Sequence, residues 1–267
     1  MKTTNKYMRG DRLYLGCHRG DRENCPENTM SAFRAAVELG LDAIETDVRM
    51  TADGVLVLIH DRDVQRTTNG QGLVDEMTLD EIKRLDAGFW KDEAFIGEQI
   101  PTVEEFLEYA SGTDIFVNWE LKEYPLELGD RAYVLIDKLV EMLDRYGMSE
   151  RSMMNSFSEK NLEYIYDKWG DKFVTHGYIH YKNPKDFSEK PLDSFINWAA
   201  IWRKDEAHLS GFEEDYKYAI DRDILCCILV PDREEHYRRA LEMGCRYFTS
   251  DDPTTAVQIL RSLGVRK

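Results

Sequence analysis

Apolar, strand-like runs alternate with stretches of helical periodicity along most of the chain, and this constrains the fold more than any other feature. Leu13–Cys17 leads to a helix over Thr29–Leu39, with Met30, Phe33 and Val37 on one face, Asn28 as N-cap and Gly40 just past the end. The strands Ala43–Met50 and Val55–His60 are joined by Thr51-Ala52-Asp53-Gly54, whose Asp-Gly pair is a hairpin signal. After a break come a helix at Val103–Tyr109, a strand at Ile115–Leu121, a helix at Asp130–Tyr146 and a strand at Arg151–Phe157. A helix at Glu159–Trp169, a strand at Phe173–Ile179 and strand-like Phe195–Ala199 and Ile224–Val230 follow. A helix at Glu234–Met243, a strand at Arg246–Thr249 and a helix after Pro253 close the pattern. Strand-then-helix repetition demands parallel strands with helical crossovers. About eight such units, in a chain near the roughly 250 residues usual for such barrels, predict an α/β fold: one TIM-type (β/α)8 barrel domain over residues 1–267. The break, at about 61–101, is punctuated by Gly70, Gly72, Gly88 and Gly97, with one short helical piece near Leu79–Leu85. It reads as a small insertion after the second strand.

Charge limits the partners. The formal net charge of −16 repels nucleic acid and anionic membrane surfaces at long range, so neither is expected to bind. A small anionic substrate is not excluded, because distant charges are screened over about 8 Å. No apolar run approaches the roughly 20 residues that cross a bilayer, and the N-terminus is polar, without the apolar stretch of a secretory signal. A cytoplasmic protein is the expectation. The five cysteines form no disulfide framework, and Cys17 and Cys226 sit in apolar runs as small buried hydrophobes.

Side-chain alternation then locates chemistry. In a strand, residues two apart share a face. Ile44, Thr46 and Val48 point one way, and Glu45 and Asp47 the other. With Ile115, Val117, Trp119 and Leu121 toward the helices, Phe116, Asn118, Glu120 and Lys122 face the barrel axis. In the first strand, Tyr14, Gly16 and His18 face inward. Barrel strands carry their chemistry at their C-terminal ends. Three converging carboxylates, Glu45, Asp47 and Glu120, cannot all stay ionised cheaply. A divalent cation resolves the conflict, and oxygen-only ligands suit a hard ion, Mg²⁺ or Ca²⁺. His18 and His60 each end a strand beside these carboxylates and fit a general acid and a general base. Arg19 and Lys122 offer the fork-like and point-charge donors a phosphodiester needs. His176, His180, His208 and His236 lack such context and read as structural or exposed.

Taken in order, His18-Arg19-Gly20, Pro26-Glu27-Asn28-Thr29, Glu45-Thr46-Asp47-Val48, Thr51-Ala52-Asp53-Gly54 and His60-Asp61 resemble the glycerophosphodiester phosphodiesterase family. Arg66-Thr67-Thr68-Asn69-Gly70, Ile100-Pro101-Thr102, Glu120-Leu121-Lys122 and Ser156-Phe157 continue the match, and residues 244–253 are similar to the family's closing segment. The resemblance implies a TIM barrel that hydrolyses glycerophosphodiesters to an alcohol and sn-glycerol 3-phosphate. It also implies Glu45, Asp47 and Glu120 as metal ligands, His18 and His60 as the catalytic pair, and Arg19 and Lys122 on phosphate. The chain departs from the family near the seventh barrel strand, where a Trp-Thr-Val-Asn run is common and this chain reads Ile228-Leu229-Val230-Pro231-Asp232. Trp198 or Trp202 is a candidate for a substitute pocket wall, and either equally suits core packing. Two rivals share the fold: a related phosphodiesterase or phospholipase acting on another diester, and a non-catalytic binding barrel. The first wants an exposed apolar or basic interfacial patch, and the second wants lost catalytic groups, whereas all seven are here.

Overall fold

The computed structural model describes residues 12–179, 186–201, 209–231 and 233–266. The strands are β1 (Tyr14–His18), β2 (Ala43–Met50), β3 (Leu56–Leu58), β4 (Phe116–Leu121), β5 (Ser152–Asn155), β6 (Val174–Tyr178), β7 (Trp198–Ile201), β8 (Leu225–Leu229) and β9 (Tyr247–Ser250). All but β3 pair in parallel with the next, and β1 pairs with both β2 and β9, so the sheet closes on itself. β3 is the antiparallel return of a hairpin with β2, in the register Val48↔Leu58 and Met50↔Leu56. Its turn is fastened by Thr51, whose backbone N–H donates to Val55 O at 2.9 Å.

The helices are α1 (Met30–Glu38), α2 (Leu79–Ile82), α3 (Val103–Ala110), α4 (Pro125–Leu128), α5 (Arg131–Arg145), α6 (Glu159–Trp169), α7 (Leu209–Asp221), α8 (Glu234–Glu242) and α9 (Pro253–Ser262). Strand alternation splits the core in two. Outward residues such as Leu15, Cys17, Ile44, Val48, Val117, Trp119 and Leu121 pack against the helices. Tyr14, Ala43, Phe116, Met153, Val174, Trp198, Cys227 and Tyr247 fill the inside of the barrel. This is the division the alternation predicts, and the layer plugs one end so that the other can hold polar chemistry. All five cysteines are buried and unpaired.

After β3 the chain builds a small apolar core of its own around Val57, Ile59, Val64, Val74, Ile82 and Ile100. Thr78 and Thr102 each make a capping box, with Glu81 and Glu105, that starts α2 and α3. Gly88 has no room for a side chain, since a Cβ there would sit 1.9 Å from the backbone oxygen of Phe95.

Several boundaries differ from expectation. Thr29, not Asn28, caps α1. The sixth barrel strand starts at Trp198 rather than Phe195, because Phe195 lies in a turn and pairing with β6 begins only at Trp198. Helix α7 fills a crossover in which periodicity signalled no helix, and α4 is a further unanticipated turn of helix. His180, Trp202, His208, Asp232 and the first eleven residues lie outside the described residues. No helix among the described residues is long and apolar enough to cross a membrane.

Candidate active site

Strand register brings the predicted carboxylates together. Asp47 on β2 sits directly opposite Glu120 on β4, and Glu45 lies one pleat earlier on the same inward face, opposite Asn118. One oxygen from each of Glu45, Asp47 and Glu120 falls within 4.8 Å of the others, with all three residues buried. Burial, reinforced by Asp47 and Glu120, drives the Glu45 carboxyl well above the usual carboxylate range. Asp47 moves the other way. Burial alone would raise it, but Lys122 and Arg19 outweigh that and hold it far below its ordinary value.

The cations meet the same three groups. Lys122 Nζ contacts Glu120 and lies 3.1 Å from Asp47 Oδ1. Arg19 Nε lies 3.2 Å from Asp47 Oδ2, and the Arg19 backbone N–H donates to Glu45 Oε2 at 2.9 Å. Burial would depress both cations, yet the surrounding carboxylates raise both above their ordinary values. Arg49, the next inward residue of β2, donates to His60 O at 2.9 Å and Lys122 O at 3.1 Å, tying the ends of β3 and β4 together.

Both histidines sit at the rim of this cluster. His18 Nδ1 is 2.6 Å from Asp251 Oδ1, and its Nε2 is 4.0 Å from Glu45 Oε2. His60 Nδ1 is 2.7 Å from Asp61 Oδ1. Burial lowers the His18 imidazole from its ordinary value, against the opposing pull of Asp251.

Several residues of the site were not singled out by sequence reasoning. Asn28 donates from Nδ2 to Asp47 Oδ2 at 2.8 Å and accepts from Thr46 Oγ1 at 2.8 Å. To reach there it adopts φ 56°, and Arg19 adopts φ 62°, a left-handed conformation that non-glycine residues resist. Two such residues facing one carboxylate cluster mark a backbone shaped for the site. Glu27, almost fully buried, accepts from Arg19 at 2.9 Å, from Arg66 at 2.7 and 3.0 Å and from Arg22 at 3.3 Å. Gly20 permits this turn, because a Cβ there would lie 2.6 Å from Ala32 Cβ. The signal available beforehand was the Pro26–Thr29 motif itself, in which Thr29 caps α1 and Glu27 and Asn28 are left for the site.

The proposed tryptophan wall does not form at Trp198. That ring is fully buried among Tyr14, Phe116 and Tyr247 inside the barrel, away from the mouth, because its register on β7 puts it one layer too deep. The aromatic surface near the site is Phe157 stacked on Tyr178, with ring centroids 3.7 Å apart, and Lys122 Nζ lies 5.7 Å from the Phe157 ring. His176, read as structural or exposed, is not exposed. It is fully buried beside Asn118, and burial pushes its pKa down to about 3.

Known proteins resemble this one throughout. The model of the glycerophosphoryl diester phosphodiesterase family matches residues 18–197. A glycerophosphodiester phosphodiesterase from Caldanaerobacter subterraneus subsp. tengcongensis is 37% identical over 256 residues, spanning 92% of this chain and 97% of that protein. Among solved structures, a Silicibacter pomeroyi protein described as a glycerophosphoryl diester phosphodiesterase superposes with a TM-score of 0.81 at 24% identity, over 96% of this chain and 95% of that one. An Oleispira antarctica phosphodiesterase, solved with the product sn-glycerol-3-phosphate, superposes with a TM-score of 0.75 at 24% identity, over 93% and 97% of the two chains. Those two likenesses establish the barrel. The matched family model and the near full-length relative together establish that this chain belongs to the glycerophosphoryl diester phosphodiesterase family.

Proposed function

We propose that this protein hydrolyses glycerophosphodiesters to an alcohol and sn-glycerol 3-phosphate, in a single barrel domain that uses one divalent cation, Mg²⁺ or Ca²⁺. The observation that carries the reading is the buried triad Glu45, Asp47 and Glu120, set between two cations and two histidines. The donor set fits a hard ion: it is all oxygen, and Glu45 Oε1 is buried without a hydrogen-bond partner. Three carboxylates against Arg19 and Lys122 leave one negative charge in excess. A divalent ion reverses that sign, and the singly charged diester then restores the balance. When bound, the ion supplies Lewis-acid polarisation of a phosphoryl oxygen.

The chain's own groups do the rest. Arg19 and Lys122 hold the phosphate oxygens and oppose the charge that builds on them as the transition state forms. Asn28 and Glu27 keep Asp47 and Arg19 in place. One histidine takes the proton of the attacking nucleophile as its oxygen bonds to phosphorus; that nucleophile is water, or the glycerol 2-hydroxyl followed by water, which opens the cyclic ester with the histidines' roles exchanged. The other gives a proton to the departing alcohol oxygen as that bond breaks. Each such transfer contributes about 10²–10⁴-fold. The test is turnover of a panel of glycerophosphodiesters with and without chelator. Release of glycerol phosphate that requires the metal supports the reading, and no turnover of any member overturns it.

A further inference from the structure

Each rim histidine has a carboxylate at Nδ1, but the two carboxylates have different origins. His60 uses its neighbour Asp61, whereas His18 uses Asp251, from the other end of the chain. Parallel pairing of β1 with β9 sets Cys17 opposite Ser250, so His18, the last residue of β1, and Asp251, just past β9, stand side by side. Asp252 serves another purpose, accepting from Thr255 N at 2.9 Å to cap α9. Asp251 is itself held, since Arg22 Nη1 lies 3.2 Å from its Oδ1 while Arg22 Nη2 donates to Glu27 Oε2 at 3.3 Å. Asp251 lies outside residues 18–197, the segment matched by the family model.

A neutral imidazole carries its hydrogen on one nitrogen only, and a carboxylate can only accept. At 2.6 Å from Asp251 Oδ1, His18 Nδ1 must be the donor. Arg22 Nη1, 3.2 Å from the same nitrogen, is another donor and directs its hydrogen to Asp251 instead. In the neutral ring Nε2 is then left as a lone pair on the Glu45 side. We propose that Asp251 is a positioning residue, which fixes the tautomer and ring orientation of His18 and presents Nε2 to the substrate. The proposal rests on the phosphodiesterase reading, and it makes the last strand of the barrel part of the catalytic apparatus.

The full-length, Mg²⁺-loaded protein and three variants test it. Asp251→Asn keeps the shape but places donor and acceptor wrongly, and the loss of such a carboxylate costs a buried hydrolase triad about 10⁴-fold in kcat. Asp251 is about half exposed, with 45% of its side-chain surface accessible, so water replaces part of its function. The expected loss is about 10²-fold in kcat, with KM changed by less than about threefold. Asp251→Glu should recover about tenfold of it, since the carboxylate returns at a longer reach. Asp252→Ala should lower thermal stability and leave kcat unchanged. Nitrogen-15 NMR of the wild type should find His18 protonated at Nδ1, and Asp251→Asn should shift population toward Nε2–H. Wild-type kcat in a folded Asp251→Asn variant, or an Nε2–H tautomer in the wild type, overturns the proposal. Wild type that turns over no glycerophosphodiester removes the activity reading, while the wild-type tautomer still decides the positioning role. The same spectrum decides it if Asp251→Asn does not fold.

Discussion

Replacing Glu27 by glutamine removes one negative charge that three guanidinium groups share, and its effect can be worked out from the contacts. Deleting one partner of a buried ion pair costs about 3–5 kcal/mol. Arg66 and Arg22 are 44% and 28% exposed and recover water when released. Arg19 is only 11% exposed, but keeps Asp47 at 3.2 Å. The lower end of the range, about 3 kcal/mol, is therefore expected. Unfolding entropy is about 2.1 cal/mol/K per residue, so 267 residues give roughly 0.56 kcal/mol/K and a fall in Tm of about 5 °C. The pH dependence adds a second check. Burial would raise the Glu27 pKa, but the hydrogen bonds from Arg66 and the charge of Arg19 outweigh it and hold it below its ordinary value. A depressed carboxyl contributes stability that is fully present above the unfolded value, about 4.3, and is lost as pH falls through the folded one. The gap in Tm between wild type and Glu27→Gln should hold from neutral pH to about 5 and narrow below about 4. Calorimetric scans at several pH values measure both. A shift under about 1 °C at pH 7, or a gap that widens in acid, would refute the account of Glu27 as a charged clamp.

Three further outcomes are expected. Chelation should abolish turnover and Mg²⁺ or Ca²⁺ should restore it; Glu45→Gln should fold normally yet lose the ion-induced rise in Tm, and full activity without metal would contradict the triad's role. His18→Ala and His60→Ala should each lower kcat by about 10²-fold or more, and the double variant should lose far less than the product, because groups acting as one unit are not additive. If the substrate's own glycerol 2-hydroxyl attacks phosphorus, an intramolecular route that needs no entropy to position the nucleophile, phosphorus NMR should detect a transient cyclic glycerol phosphate. A matched diester lacking that hydroxyl should then bind but turn over far more slowly, and equal kcat for the two would instead establish direct attack by water.

Local pattern was sufficient for much of this. Period-two alternation put Glu45, Asp47, Glu120 and Lys122 on inward faces, because a strand's geometry is set by its own backbone, and strand-helix repetition implied the parallel barrel on which they converge. The same logic put His18 at the end of β1, whereas His60, expected to end its strand, lies two residues beyond β3. Local pattern does not carry distances between segments far apart in sequence. Only the closing of β9 against β1 brought Asp251 to His18, 233 residues away. Only the left-handed turns at Arg19 and Asn28 aimed Asn28 at Asp47 rather than at the helix it precedes. Trp198 fell the other way. As a substitute for the family's missing tryptophan it suited a pocket wall or core packing equally, and inter-strand register decided for the core. Which residues are polar and inward is a property of each strand by itself, and which of them touch is a property of register and loop closure, set by packing across the whole barrel.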